Sequence, residues 1–553
     1  MTDQLVFVAL GGLGEIGMNA GLYGFGPPQR RKWIMVDVGL GFAGGDLPGV
    51  DLIYPDVGFV ETIRRDLLGL VLTHAHEDHV GALAALWPRL GCPVYGTRFA
   101  VNLLETRRLS EPGAPKVPLR VVEQGGRITL GPFEIELVPV AHSTPESNAL
   151  AIRTPAGLVV HSGDWKIDPD PGVGRPTDDA RLRALGDEGV LALVCDSTNI
   201  LREGVSPSEG EVARTLERLV ADAPARVVVT LFASNVARIR AVARAAAAAG
   251  REVVVVGRAL ERSVEVAREC GYLDDAPPFH SLDRFKSLPR ERVVALATGS
   301  QGEARAAIGR IAEGEHPAIS LASGDRVIFS SRTIPGNERE VGRVVNGLIL
   351  QGVEVVTDRD ALVHCSGHPR RDEVSQFYDW VRPRVLVPAH GEPQHLTEQA
   401  RFARARGVPH VIGARNGDVV LLGPDEPGIV DEVPTGRLIQ DGAILLGADD
   451  EVVREREKLS FAGVVTVAIA IGPKGDVVGD PDVVSFGLPR RDGAGAAMDA
   501  LIDKALFSTL DSLPRGRRRD PDAVSGAVER SVRAAVHAVW GKRPHVHVLV
   551  VQV

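Results

Sequence analysis

From Gln4 to about Asp196 short apolar runs rich in β-branched residues alternate with Gly and Pro breaks: LVFVAL, KWIMVDVG, GLVLTH, CPVYG, FEIELVPVAH, GLVVHSGD and LALVCDS. Runs of this length between turn formers predict strands. Several end in His or Asp, and a polar residue just past the carboxyl end of a buried strand is well placed to line a site. From Pro207 to about Val356 the texture changes to RVVVTLF, NVARIRAVARAAAAAG, EVVVVG, ALERSVEVAREC, VVALATG, EARAAIGRIAEG and VIFS. This alternation of strand and helix predicts a parallel sheet covered by helices, and Ser208 and Glu211 have the spacing of a capping box. The strand-ending style returns at VEVVTD, LVHCSGHP and VLVPAHGE, so the second region reads as an insertion into the first. After about Asp450 a charged stretch, DDEVVREREK, leads to a hairpin-like FAGVVTVAIAIGPKGDVV, two helical stretches and a last strand, HVHVLVVQV. The expected boundaries are 1–206 and 357–445 for a discontinuous first domain, 207–356 for the inserted one, 446–460 for a linker and 461–553 for a small α/β module.

Composition narrows the class. The chain has 553 residues, room for several domains, and its 44% hydrophobic and 24% charged residues exclude a disordered, collagen-like or disulfide-stapled protein. Basic residues number 63 against 72 acidic ones, a net charge of −9, which argues against an overall basic nucleic-acid-coating surface and leaves room for a focused positive cleft. No apolar run reaches about 18 residues and the start lacks a signal-peptide flank, so a cytoplasmic protein with no membrane partner is expected. Cys92, Cys195, Cys270 and Cys365 lie far apart with no CxxC pair, as suits reduced thiols.

The sharpest chemical feature is His74-Ala75-His76-Glu77-Asp78-His79, directly after the apolar run GLVLT. Imidazole nitrogen and carboxylate oxygen together suit borderline divalent ions such as Zn²⁺ or Mn²⁺, and a turn after a strand can splay consecutive side chains toward two adjacent ions. Further candidates stand at other strand ends: Asp37, His142, Asp164, Asp196, His364, His368 and His390. Gly12-x-Gly14-x-x-Gly17 matches a dinucleotide fingerprint literally, but the residues that follow have no helical period, so a tight turn packed beside the metal site is expected instead. Arg515 to Arg519 reads as a solvated basic loop, and His545 and His547 as strand residues needing no metal.

These motifs resemble those of the metallo-β-lactamase superfamily, whose ordered pattern matches Asp37, the His74–His79 cluster, His142 and Asp164. The insertion, with Asp196, His368 and His390, is similar to the β-CASP group of nucleic-acid nucleases. LGGLGEIGMN, TLFASN, TGSQGE, FSSRTIPGNE, HCSGHP and PAHGE are similar to the bacterial ribonuclease J family in particular. The resemblance implies a four-layer αββα sandwich with an inserted β-CASP α/β domain and a small C-terminal α/β domain. It implies two divalent ions, one held by His74, His76 and His142, the other by Asp78, His79 and His390, with Asp164 bridging. His368 would be the general acid, assisted by Asp196, and Asp37 would orient a ligand histidine.

The family further implies RNA as substrate, hydrolysed from 5′-monophosphate ends with additional internal cleavage in RNA decay and processing, by a homodimer or higher homo-oligomer with partner proteins of RNA decay. His364, Ser366, Gly367 and His368 would form the pocket for a 5′-phosphate. Phe232 would stack on a base or else pack as a core residue at a strand end, and Ser330, Ser331 and Arg332 would contact phosphates, as would Ser300 to Gly302 unless these serve as a helix cap. A hydrolase of the same fold acting on DNA or a small substrate is one alternative, but small substrates need no inserted domain. A non-catalytic RNA-binding or assembly protein is another, although it would not need every ligand position filled.

Overall fold

The structure is a computed structural model that describes residues 3–44, 47–50, 52–107, 109–303, 305–334 and 336–553. Ala304, in an expected helix, and Pro335, in the run FSSRTIPGNE, lie outside the described residues. Two large sheets carry the first domain. One runs, in spatial order, through residues 428–432, 418–423, 4–11, 20–26, 32–36, 67–71, 94–96 and 119–121; the other through 410–411, 385–389, 190–196, 157–161, 148–154, 133–139 and 127–130. Their facing sides close on one apolar core that includes Leu5, Phe7, Val36, Val71, Ile135, Leu150, Val194 and Val387. Helices Asp179–Glu188, Arg371–Val381 and Pro393–Ala405 cover the far side of the second sheet, where Leu182, Phe377 and Ala403 meet Val160 and Leu193. On the first sheet, strands Lys32–Val36, Leu67–Val71 and Val94–Gly96 are parallel neighbours. Parallel neighbours need crossovers, here helices Gly58–Ile63 and Leu83–Leu90, and with the inner face filled these take the outer one. The result is the αββα sandwich expected.

The insertion forms a sheet in the order 279–280, 252–256, 293–297, 227–230, 326–329, 354–356, with every described pairing parallel. Helices Glu209–Ala221, Val236–Ala248 and Arg258–Glu269 bury one face of it, and helices Ala307–Ala312 and Glu338–Leu350 the other. The capping box forms as the spacing predicts, with Ser208 N–H donating to Glu211 Oε2 at 2.9 Å.

Two expectations are corrected. LVHCSGHP is not a strand. Val363, Cys365, Gly367 and Pro369 are buried while His364, Ser366 and His368 are half-exposed, so the segment has the two-residue period of a strand without a pairing partner. Its polar groups bond side chains instead of a ladder. The span 446–460, expected as a linker, contains most of the helix Glu451–Ala462, started by Asp450 accepting from Val452 N–H at 3.0 Å. Val453 packs there with Val50 and Ile439; so few apolar positions in a charged run hide a helix from a periodicity reading.

The C-terminal module pairs strand Val464–Ile471 antiparallel with Asp482–Phe486 and parallel with His545–Gln552. Helices Met498–Ser512 and Pro521–Trp540 cover one face through Ile502, Leu506, Val528 and Val532. Among the described residues no helix is long and apolar enough to cross a membrane, and the four cysteines are free thiols.

Candidate metal centre

Six strands deliver the candidate ligands to one rim. Lys32–Val36 ends at Asp37, Leu67–Val71 runs into His74–His79, Phe133–Pro139 into His142, and Gly157–His161 into Asp164; Val190–Asp196 ends on Asp196, and Val385–Ala389 is followed by His390. The backbone leaves two of these strands in the left-handed region, at Asp37 with φ 60° and His390 with φ 49°. Each costs on the order of 1–3 kcal/mol outside glycine, a strain retained where the surroundings over-determine the turn. Gly39 is needed for another reason: a Cβ there would lie 1.6 Å from the Asp78 carbonyl oxygen. That closeness lets Val38 and Leu40 donate to the carbonyls of His79 and Glu77 at 2.7 and 2.9 Å, fixing the ligand-bearing turn. The glycine string serves the same rim, since Gly14 N–H donates to Gly391 O at 2.9 Å beside His390.

Three imidazoles form one half of the centre. His76 Nδ1 lies 3.1 Å from His74 Nε2 and 3.0 Å from His142 Nε2. Ligands about 2.0–2.1 Å from a tetrahedral ion stand about 3.3 Å apart, so these nitrogens have nearly the spacing of a coordination face. Thr73 Oγ1, 3.0 Å from His74 Nδ1, and Gly367 O, 2.7 Å from His142 Nδ1, fix the other edges of two rings. Burial lowers the pKa of all three, His76 to about 4, which keeps the rings in the neutral form that can ligate.

Carboxylates dominate the other half. His79 Nε2 is 3.2 Å from Asp164 Oδ2 and 3.7 Å from Asp78 Oδ2, and His390 Nε2 is 3.3 Å from Asp78 Oδ2. Asp37 Oδ2 accepts from His79 Nδ1 and from Thr73 Oγ1, both at 2.7 Å, which turns the Nε2 edge of His79 inward. Burial opposes charge on His390, yet the Asp164 and Asp78 carboxylates lift its pKa to about 10. His79 is raised against burial in the same way by Asp164, Asp78 and Asp37. This half demands a positive charge. His390 Nε2, buried and without a hydrogen bond among the described residues, is an orphaned ring nitrogen whose lone pair a cation would engage in place of a proton. The residues present therefore fit a divalent-ion centre.

Asp164 Oδ2 stands between the halves, 3.8 Å from both His74 Nε2 and His142 Nε2. His368 joins from the return segment, its Nδ1 2.8 Å from Asp196 Oδ2 and 3.8 Å from Asp164 Oδ2. Burial lowers the pKa of His368, but the Asp196 and Asp164 carboxylates outweigh it and the net shift is upward.

Models of four protein families match the chain: Metallo-beta-lactamase superfamily at 18–258, Ribonuclease J beta-CASP domain at 224–348, Zn-dependent metallo-hydrolase RNA specificity domain at 352–412, and Ribonuclease J C-terminal domain at 451–553. Ribonuclease J of Sinorhizobium meliloti is 50% identical, covering 100% of this chain and 98% of its own. The chain belongs to the ribonuclease J family. Ribonuclease J of Mycobacterium tuberculosis is 38% identical over 99% of this chain and 97% of its own, and that of Corynebacterium glutamicum 37% over 98% and 75%. A solved protein of unknown function from Enterococcus faecalis shares the fold, with a TM-score of 0.52 at 16% identity over 76% of this chain and 100% of its own. Membership in the ribonuclease J family makes the chain a metal-dependent, RNA-binding hydrolytic nuclease.

The residues expected to face RNA divide. Ser366 Oγ accepts from Asn199 Nδ2 at 2.8 Å and from His368 N–H at 3.2 Å on the half-exposed side of the segment. Gly367 is needed for packing: a Cβ there would lie 2.6 Å from the His142 ring. Phe232 is half-buried with its ring 6.3 Å from that of His364, and Arg332 is exposed. Ser331 is buried, whereas Ser330 corrects the expectation outright. Its hydroxyl accepts from buried Arg238 at 2.6 Å and donates to Val363 O at 2.7 Å, so it is spent inside the protein. Among the described residues Ser300 to Gly302 neither cap a helix nor start one; Gln301 instead donates to Arg332 O at 2.9 Å and accepts from Ile334 N–H at 2.8 Å. Arg515 to Arg519 is largely exposed, and His545 and His547 point out from their strand.

Sequence reasoning missed Asn19, Asn199 and Ser206. Asn19 Nδ2 donates to Asp78 O at 3.1 Å and lies 3.0 Å from His79 Nε2. Asn199 Nδ2 and Ser206 Oγ both donate to His368 O, at 3.1 and 2.9 Å. Single polar residues in loops carry no pattern that would mark them.

Proposed function

We propose that the chain degrades RNA in the 5′-to-3′ direction from 5′-monophosphorylated ends and also cuts internally, using two divalent ions, Zn²⁺ or Mn²⁺. His74, His76 and His142 would hold one ion, Asp78, His79 and His390 the other, and Asp164 both. The observation that carries this reading is the position of Asp164 Oδ2, within 3.8 Å of nitrogens from His74, His79, His142 and His368. Bound ions of this kind make water a nucleophile near neutral pH and offset charge growing on phosphoryl oxygen.

The chain's own groups supply the rest. Asp37 holds His79 with its Nε2 edge inward. Asp196 accepts from His368 Nδ1, which leaves Nε2 to carry a proton to the departing 3′ oxygen. Water adds across the P–O3′ bond, the 3′ oxygen gains that proton, and the phosphate stays on the 5′ side of the next nucleotide. Ser366, Gly367 and His364, on the same segment, would receive a terminal 5′-phosphate, with Phe232 under a base and Arg332 near the backbone. The apolar outer face of the C-terminal sheet, with Val484, Phe486, Leu549 and Val551 exposed, supports a homodimer or higher homo-oligomer. A cytoplasmic place in RNA decay, beside partner proteins, belongs to the same reading.

The test is to incubate end-labelled RNA bearing a 5′-monophosphate or a 5′-hydroxyl with protein and Mn²⁺ or Zn²⁺, then size the products. Mononucleotides released faster from the monophosphate are expected. Equal rates from both ends, or only internal fragments, would remove the 5′-end assignment.

A further inference from the structure

Where the insertion leaves and rejoins the first domain, four charged side chains are almost wholly buried: Lys166, Asp168, Glu209 and Arg238. Two cations face two anions, so the cluster is neutral. Lys166 Nζ meets Asp168 Oδ2 at 2.7 Å, Pro207 O at 3.1 Å and Cys365 Sγ at 3.5 Å, which occupies its three donors. Arg238, on the second helix of the insertion, grips Glu209 through Nε at 3.1 Å and Nη2 at 2.9 Å. Its Nη1 reaches the other way, to Ser330 Oγ at 2.6 Å and Val363 O at 2.8 Å, while Nη2 lies 3.8 Å from Cys365 Sγ.

Val363 and Cys365 belong to the return segment, and Ser330 ties to it by donating to Val363 O at 2.7 Å. Val363 and Cys365 are its buried positions, and Ser366 and His368 its half-exposed ones. In a chain of two-residue period, holding the buried positions sets the direction of the positions between them. The segment has no strand pairing to do this, so the side-chain anchors take its place. A planar guanidinium can bind a carboxylate on one edge and carbonyls on another; an ammonium cannot span both.

We propose that Arg238 is a positioning residue for the reaction: from the inserted domain it sets the register of Val363–Cys365 and so the placement of Ser366 and His368 against His142 and Asp196. The inference rests on the role given to His368 above. Breaking the anchor displaces a proton donor while replacing none of the candidate ion ligands, and a displacement of about 1 Å costs up to about a hundredfold in rate.

The experiment compares native protein with Arg238→Lys, well below the melting temperature of each. It reads kcat and KM on 5′-monophosphorylated RNA, bound metal, and labelling of Cys365 by a thiol reagent followed by peptide mass spectrometry. The expected result is a fall in kcat of about 10- to 100-fold with metal content unchanged, and fast labelling of a Cys365 that is protected in the native protein. Any other combination overturns the proposal: intact kcat, lost metal, or a Cys365 still protected. If Arg238→Lys fails to fold, Ser330→Ala removes one anchor and is expected to show the same pattern at about fivefold. His368→Ala runs alongside; if that variant cleaves normally, the reading of the site fails, whereas a dead His368→Ala with a fully active Arg238→Lys sinks the positioning role alone.

Discussion

The metal centre and the return segment 363–368 meet at His142 and His368 but are built in opposite ways. Each candidate ligand of the centre follows a strand whose end the sheets fix through ladder hydrogen bonds, and main-chain contacts such as Val38 N–H to His79 O carry that order into the ligand-bearing turn. The return segment has no ladder. Arg238, Ser330, Asn199, Ser206 and His142 hold it, each through one or two contacts from distant parts of the chain. A framework held by main chain concentrates its vulnerability in the ligands themselves, whereas one held by side chains spreads it over many residues, each of modest effect.

The sharpest way to break this comparison is Asp164→Ala. Cleavage is expected to vanish with loss of bound metal, measured by product release and metal analysis, while RNA affinity falls far less; an equal loss of affinity would make the centre a binding site rather than a reactive one. Asp37→Asn is next. It keeps the shape but weakens the acceptor for His79, and a loss of 10- to 100-fold in metal affinity is expected by competition titration; an unchanged affinity would show that the ladder alone aligns the ring. On the return segment, Asn199→Ala removes donors to Ser366 and His368 and is expected to lower kcat/KM on 5′-monophosphorylated RNA by about five- to tenfold. A drop as large as that of Asp164→Ala would erase the distinction.

The smallest effect concerns pH. Burial opposes the charge on Glu209, but Arg238 and Lys166 hold its pKa at about 2, below the ordinary 4.5. The unfolded chain therefore takes up this proton first, so the stability it contributes is complete above about pH 4.5 and is lost as pH falls toward about 2. Melting temperatures across pH should show no loss from this group between neutrality and about 4.5; a decline attributable to Glu209 already near pH 6 would mean that the pair is solvated.

Legibility in the sequence follows the same division. Strands that end in His or Asp announce themselves, because an apolar run terminated by ligand-type residues is rare, and so the strands of the first domain, the parallel insertion and the residues that gather at the candidate metal centre could be marked, while the αββα layering came from the resemblance to a family. The return segment reads as a strand because apolar and polar residues alternate in VHCSGH and it ends in His like the strands before it. Ser330 looked like a phosphate contact because it sits beside Arg332, and nothing local shows that Arg238, far back in the chain, already claims its hydroxyl. Asn19 and Asn199 act across long stretches of sequence, so no spacing marks them. The helix Glu451–Ala462 was hidden by its own charge.

Gly39 touches neither an ion-binding group nor any candidate RNA contact with a side chain, for it has none. Yet the Asp78 carbonyl occupies the place where its first carbon would be. Adding a single methyl group would lever the whole acidic turn off its seat, so the enzyme depends at this position on an atom that is missing, and a survey of important side chains would pass over it.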